Sequence, residues 1–260
     1  MTISTSTRPR SAPALTREVA PGVHRLSHAY VNCYLIEDGD DLTIVDAALP
    51  ATWRPLLAAL GALGRRPSDV RALVLTHAHF DHLGFARRVS TEWGVPVLAH
   101  PAETYIAHHP YQYAHEAPRA LYPIQHPRGI PILTSMARAG AFSVRGIDDL
   151  RFFSPGDVLD VPGNPVAVYS PGHTFGHCAL HLPDRDVLLS GDALVTLDPY
   201  TGETGPRIVC GAATADSVQA LGSLGALADT DAAIVLPGHG EPWRGGIRTA
   251  VQAALAAGVS

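Results

Sequence analysis

Apolar residues arrive along this chain in short bursts, most too brief for a helix face and too continuous for a strand open to water on one side. Residues 31–37 (VNCYLIE) and 42–46 (LTIVD) are two such bursts. The Asp-Gly-Asp between them is a turn signal, so they predict two neighbouring strands. Over residues 52–63 the apolar positions change to helical spacing, with Thr52 as a candidate cap. Residues 71–76 (RALVLT) read as a short buried strand, 83–93 as a helix stopped near Gly94, and 97–99 as another short strand. Further on, residues 166–170, 178–182 and 187–190 are strand-like, 215–228 helical, 233–236 a strand and 246–257 a closing helix. Strands followed by alternating helices and strands, in two rounds, predict a layered α/β fold with strands in the middle and helices outside. TIVDAALP and LLSGDALV both run an apolar strand into Asp-Ala, an internal echo that suggests a duplicated half.

Residues 105–150 break this rhythm. They carry Tyr105, Tyr111, Tyr113, Tyr122 and Phe142 among several prolines and four histidines. Two readings stand side by side: a partly helical lid over an active site, or a surface excursion with a small core of its own.

Composition narrows the classes. Of 260 residues, 46% are hydrophobic and 17% charged, enough for a sizeable core and too apolar for global disorder. A net charge of −5 argues against a nucleic-acid binder, whose affinity rests on neutralising phosphates. Cys33, Cys178 and Cys210 are far apart and form no CxxC pair, which fits reduced thiols in a cytoplasmic protein. The first residues, rich in Ser, Thr, Pro and Arg, lack the apolar run of a signal peptide, and residues 1–14 are expected to form a flexible tail. No apolar run approaches a membrane span. The expected domain is therefore residues 15–260, with a small-molecule partner, no nucleic acid and no membrane; a homodimer stays open.

Fourteen histidines are the compositional oddity, and their placement points to chemistry. His77-Ala78-His79-Phe80-Asp81-His82 follows a buried strand and precedes a helix. Residues two apart in extended chain face the same side, so His77 and His79 can reach one metal ion, while Asp81 and His82 aim at a neighbouring point. Three more strand ends each carry a ligand-type residue: His173 in SPGHTFGH, Asp192 in SGD, and His239 in PGHG. Taken singly, a Gly-His turn is usually structural and a Gly-Asp usually a cap. Together, and at the edge where layered α/β proteins assemble their sites, they read as a metal centre.

HAHFDH, PGHT, SGD and PGHG, in this order, resemble the metallo-β-lactamase superfamily from about Pro21 onward. The resemblance implies a four-layer αβ/βα sandwich of two mixed sheets with outer helices. It implies a first metal site of His77, His79 and His173, a second of Asp81, His82 and His239, and Asp192 bridging them. Imidazole and carboxylate suit zinc, and also iron or manganese. Two such ions about 3.5–4 Å apart hold a shared water or hydroxide and polarise a substrate oxygen, and one zinc alone brings the pKa of its water to about 7. Asp81 is then a candidate proton shuttle and Tyr200 a candidate substrate contact.

Departures within the family point to the reaction. β-Lactamases of this fold usually lack the histidine after the motif aspartate and carry cysteine where Asp192 stands. Having both His82 and Asp192 favours a thioester, lactone or phosphoester hydrolase. Only about twenty residues follow His239, so a glutathione-binding helical region like that of glyoxalase II is not expected. The aromatic 105–150 segment favours a small, partly hydrophobic acyl lactone or thioester. The alternatives are a phosphodiesterase or nuclease, a β-lactamase-like activity, and a mononuclear-iron persulfide dioxygenase. His177, Asp46, Tyr30 and Tyr113 are weaker candidates: Asp46 for supporting a ligand histidine, His177 for packing or support, the tyrosines for substrate.

Overall fold

A computed structural model of the chain describes residues 11–259. Seven strands form the first sheet: β1 (Ala14–Ala20), β2 (Val23–His28), β3 (Val31–Asp38), β4 (Asp41–Val45), β5 (Val70–Val74), β6 (Val97–Ala99) and β7 (Arg151–Phe152). They lie in sequence order. The first four run antiparallel and the rest parallel, because helical crossovers return the chain to the same edge. β8 (Val166–Tyr169), β9 (Cys178–Leu182) and β10 (Val187–Gly191) build the second sheet. A two-stranded ribbon of β11 (Val195–Leu197) and β12 (Thr204–Arg207) follows, and β13 (Ile234–Pro237) closes the second sheet by pairing parallel to β10.

The alternation of side chains along the strands explains the layering. On β3, Val31, Cys33 and Leu35 face a core shared with helices α1 (Trp53–Ala62), α2 (Phe80–Leu83) and α3 (Ala86–Trp93). Tyr34 and Ile36 face the other way, into a core closed by Cys178, Leu180, Leu182, Val187 and Leu189 of the second sheet. Both faces of β3 are therefore buried, which is why it reads as a continuous apolar run. On β10, Leu188 turns outward to pack under α7 (Ser217–Ala228) and α8 (Ile247–Ala257). Helix, sheet, sheet, helix is the four-layer αβ/βα sandwich.

Several elements differ from the sequence reading. Residues 83–93 are not one helix: the chain breaks between α2 and α3 at Gly84 and Phe85, whose N–H groups are taken by the Ala48 and Ala47 carbonyls. β1, β2, β7 and the β11–β12 ribbon carry too little apolar alternation to announce themselves. Of the expected tail, residues 1–10 lie outside the described residues, while the Ser11 carbonyl accepts a hydrogen bond from Ala29 and Ala14 opens β1. Residues 105–150 contain most of α4 (Thr104–His108), then α5 (Tyr122–Gln125) and α6 (Ile130–Arg138), with Ile132 and Met136 buried in the first core. Among the described residues no helix is long and apolar enough to cross a membrane. All three cysteines are buried and free.

Candidate metal centre

The loops that leave β5, β8, β10 and β13 meet at one end of the two facing sheets, and each delivers part of a buried histidine–aspartate cluster. His77, His79, Asp81, His82, His173, Asp192 and His239 are all buried. Their donor atoms fall into overlapping groups, each within 4.8 Å: His77, His79 and His173; His77, His82 and Asp192; Asp81, His82 and His239. Asp192 sits centrally, 3.5 Å from His82 Nε2, 3.6 Å from His173 Nε2 and 3.2 Å from His239 Nε2. All seven residues singled out in the sequence as ligands are thus brought together. Gly238 permits the closest approach: a Cβ there would lie 2.2 Å from Asp192 Oδ1.

Whether this cluster fits a metal ion is decided by its unpaired atoms. Nε2 of His77, His79, His82, His173 and His239, and Oδ1 of Asp192, are shut off from solvent and make no well-directed hydrogen bond, although His239 Nε2 has carboxylate oxygens of Asp81 and Asp192 at 3.2 Å. Buried polar atoms normally find partners, and six convergent exceptions of ligand type call for a cation. The outer ring nitrogens fix the tautomers. His239 Nδ1 faces the Tyr30 carbonyl at 2.9 Å and His82 Nδ1 the Asp46 carboxylate at 3.0 Å, so both must donate. The Thr76 hydroxyl is spent on Asp46 and the Thr214 hydroxyl on the Val209 carbonyl, so His77 and His173 donate from Nδ1 to these oxygens. A hydrogen on Nδ1 leaves the Nε2 lone pair pointing inward, the arrangement a metal needs.

Four residues behind the cluster hold its loops. Glu103 is buried without a cation: one oxygen accepts from Ala78 N at 2.8 Å and the other from Gly176 N at 2.9 Å. It ties the HAHFDH loop to the GHTFGH loop, and burial raises its pKa. His177 donates to Ser170 Oγ through Nδ1 and accepts from Asp192 N at 3.0 Å and Ala193 N at 3.2 Å. Both its nitrogens are engaged, so it supports the Asp192 turn and is no ligand. Arg25 and Asn32 together hold the Gly240 carbonyl beside His239. Tyr30 and Asp46 present their groups from left-handed backbone, φ 67° and 61°. Strain of this kind persists where the surroundings over-determine it.

Electrostatics divide the cluster. Burial, reinforced by neighbouring imidazoles, holds the pKa of His77 and His79 well below the usual value, and burial lowers that of His173 to about 4 and that of His177 to about 3. Burial also works against a charge on His239, but Asp192 and Asp81 overcome it and push His239 up to about 10. His82, between Asp192 and Asp46, is likewise raised well above the usual value.

The sequence profile of the metallo-beta-lactamase superfamily matches residues 28–239, a span that holds every one of these donors. The chain belongs to this superfamily. The probable metallo-hydrolase YflN of Bacillus subtilis (strain 168) is 28% identical over 246 residues, covering 88% of this chain and 87% of the relative. An uncharacterized protein of Mycobacterium leprae (strain TN) is 32% identical over 217 residues, covering 80% and 86%. Among solved structures, a metallo-beta-lactamase family protein of Thermus thermophilus superposes with a TM-score of 0.64 at 26% identity, over 89% of this chain and 77% of that one. A second, solved in a di-iron-bound form, gives 0.60 at 24% identity, over 88% and 96%. The chain is a metal-dependent hydrolase of the metallo-β-lactamase fold.

Above the metallo-β-lactamase cluster lies a pocket walled by His79, Asp81, Phe80, Tyr113, Tyr200 and Val209 among others. Its free space is about 10 Å³, room for one water. Tyr113 stacks on His79 with ring centres 3.8 Å apart, and Tyr200 lines the same pocket beside it. Tyr200 is held there by Asp198, which accepts from Tyr200 N, Thr201 N and Cys210 N. Glu103, Thr214 and Asp198 escaped the sequence reading because isolated Glu, Thr and Asp residues carry no local signal.

Proposed function

We propose that the chain is a dinuclear hydrolase of a small ester-like substrate, an acyl lactone or thioester. The six buried, convergent donor atoms that make no well-directed hydrogen bond carry the proposal. His77, His79 and His173 would hold one divalent cation and Asp81, His82 and His239 the other, with Asp192 between them. Zinc suits this donor set best, and iron or manganese also suit it. When bound, the pair would supply Lewis acidity and a water made acidic enough to ionise near neutral pH. The chain's own residues do the rest. Asp81, 3.2 Å from His239 and open to the pocket, can carry a proton to the leaving group. Tyr200 lines the same space, and Phe80, Pro199, Val209 and Ala213 give it an apolar wall.

The small aromatic and aliphatic wall favours an acyl group over a nucleic acid strand, and the presence of both His82 and Asp192 argues against β-lactam hydrolysis. A metal-quantified screen of lactones, acyl thioesters, phosphodiesters and β-lactams on the holoenzyme tests the reading. Turnover of lactones or thioesters with two metal ions per chain is expected. One iron per chain and no esterase activity would point to a dioxygenase instead.

A further inference from the structure

Arg119 stands beside the metal pocket with nothing to balance its charge. Its guanidinium lies 4.0 Å above the Tyr113 ring centre, and Tyr113 in turn stacks on His79. Nε donates to the Ala212 carbonyl at 3.0 Å, next to the pocket residue Ala213. Nη2 is shut off from solvent and has no hydrogen-bond acceptor. Among the described residues no carboxylate is in ion-pair range of Arg119; Glu116, three residues before it, spends both oxygens on Ser217. A ring face attracts a cation but offers no acceptor to the N–H groups at the guanidinium edge. Arg119 is half-buried, and a partly desolvated cation that lacks a counter-charge beside an active pocket is balanced most simply by the ligand.

The pocket also shows how a ligand would reach it. With room for one water, it admits an acyl group only if part of its wall moves. His79, Asp81, His173, Asp192 and His239 are fixed by the cluster, and Val209 and Ala213 are buried. Tyr113 belongs to no helix or strand, lying in the connection after α4. Displacing its ring uncovers the guanidinium.

We propose that Arg119 is a specificity-determining residue that binds an oxyanion, carboxylate or phosphate-like, carried at the far end of the substrate's acyl group. The proposal rests on the hydrolase reading above. The test compares glutaryl, 4-phosphonobutyryl and valeryl thioesters of one thiol on holoenzyme. Arg119→Met and Arg119→Lys are assayed beside the parent, and calorimetry of glutarate against valerate is run on each. The parent should prefer an anionic thioester by tenfold or more in kcat/KM, through KM, and bind glutarate more tightly than valerate. Arg119→Met should erase both preferences and Arg119→Lys keep part of them. The better of the two anionic thioesters identifies the oxyanion. Equal handling of charged and neutral acyl groups by the parent, or a preference that survives in Arg119→Met, overturns the proposal. If no thioester is hydrolysed but the glutarate preference is present and lost in Arg119→Met, the oxyanion site stands and only the thioester reading fails.

Discussion

The Asp46 carboxylate accepts a hydrogen bond from His82 Nδ1 at 3.0 Å while His82 Nε2 points at Asp192, 3.5 Å away. His82 is thus held between the two aspartates of the internal sequence echo, one at the end of each half's strand. Asp46 Oδ1 is spent on Thr76 N at 2.8 Å, so Oδ2 alone sets the imidazole tautomer. In Asp46→Asn the amide nitrogen competes for that place and favours a hydrogen on His82 Nε2, where the cation must bind. Affinity for the second cation should fall about 10–100-fold, with the first site close to the parent. Chelator competition with metal counting reads this directly, and equal affinities in parent and variant would remove Asp46 from the centre. Asn tolerates the left-handed backbone that Asp46 adopts, so the fold should survive.

Glu103 supplies a second test, because one side chain joins two ligand loops that are far apart in sequence. In Glu103→Gln one of the two N–H groups, Ala78 or Gly176, loses its acceptor. A buried donor left unpaired costs about 1–3 kcal/mol, so the metal-free variant should melt several degrees lower. The loss also frees the His77–His79 segment relative to His173. The first cation should therefore dissociate more readily than the second, a selectivity that simple destabilisation would not produce. Uniform weakening of both sites in chelator titrations would reduce Glu103 to a structural role.

The legibility of this chain follows from how its signals are carried. Fully buried strands such as β3, β5 and β10 are continuous apolar runs, and each ligand is a rare residue type in a glycine-rich or strand-end context, so both were readable. β1 and β2 alternate weakly, with Arg25 buried in β2 because its guanidinium holds the Gly240 carbonyl and Glu241. That partnership spans more than two hundred residues and has no local trace. Glu103, Thr214 and Arg119 were missed for the same reason: their roles are set by long-range contacts. The break at Gly84 is likewise tertiary, since a Cβ there would lie 2.3 Å from the Ala48 carbonyl.

Metal uptake should release protons. His239, pushed up to about 10 by Asp192 and Asp81, carries a proton in the metal-free chain at neutral pH, and Asp192 with Asp46 raises His82 above its usual value in the same sense. Nε2 must lose that proton to bind a cation. Titration of metal into apoprotein in two buffers of different ionisation heat should therefore show net proton release, and affinity that weakens as pH falls. Identical heats in both buffers would contradict it. The metal-free fold has a matching pH profile. The raised His239 contributes stability fully present below about 6.5 and lost as pH rises through about 10. His173 and His177, held neutral by burial, contribute stability present above 6.5 and lost as pH falls towards about 4 and about 3. Thermal melts of apoprotein should decline in both directions from a maximum near neutrality.

Asp81 separates metal binding from proton transfer. It faces His239 at 3.2 Å and also lines the pocket, so its carboxylate can serve as ligand and as proton carrier. Burial opposes its charge, yet His239 and His82 hold its pKa below the usual carboxylate value. Asp81→Asn keeps an oxygen donor for the cation but removes the site that would take up a proton. If the carboxylate carries the leaving-group proton, kcat should fall by about 10²–10⁴-fold in variant enzyme confirmed to hold its full complement of metal. The loss should be smaller for substrates whose leaving group is a good one, such as an activated thiophenol ester, because such a group departs without protonation. A uniform loss across leaving groups would assign Asp81 to metal binding alone, and unchanged turnover would exclude it from the chemistry.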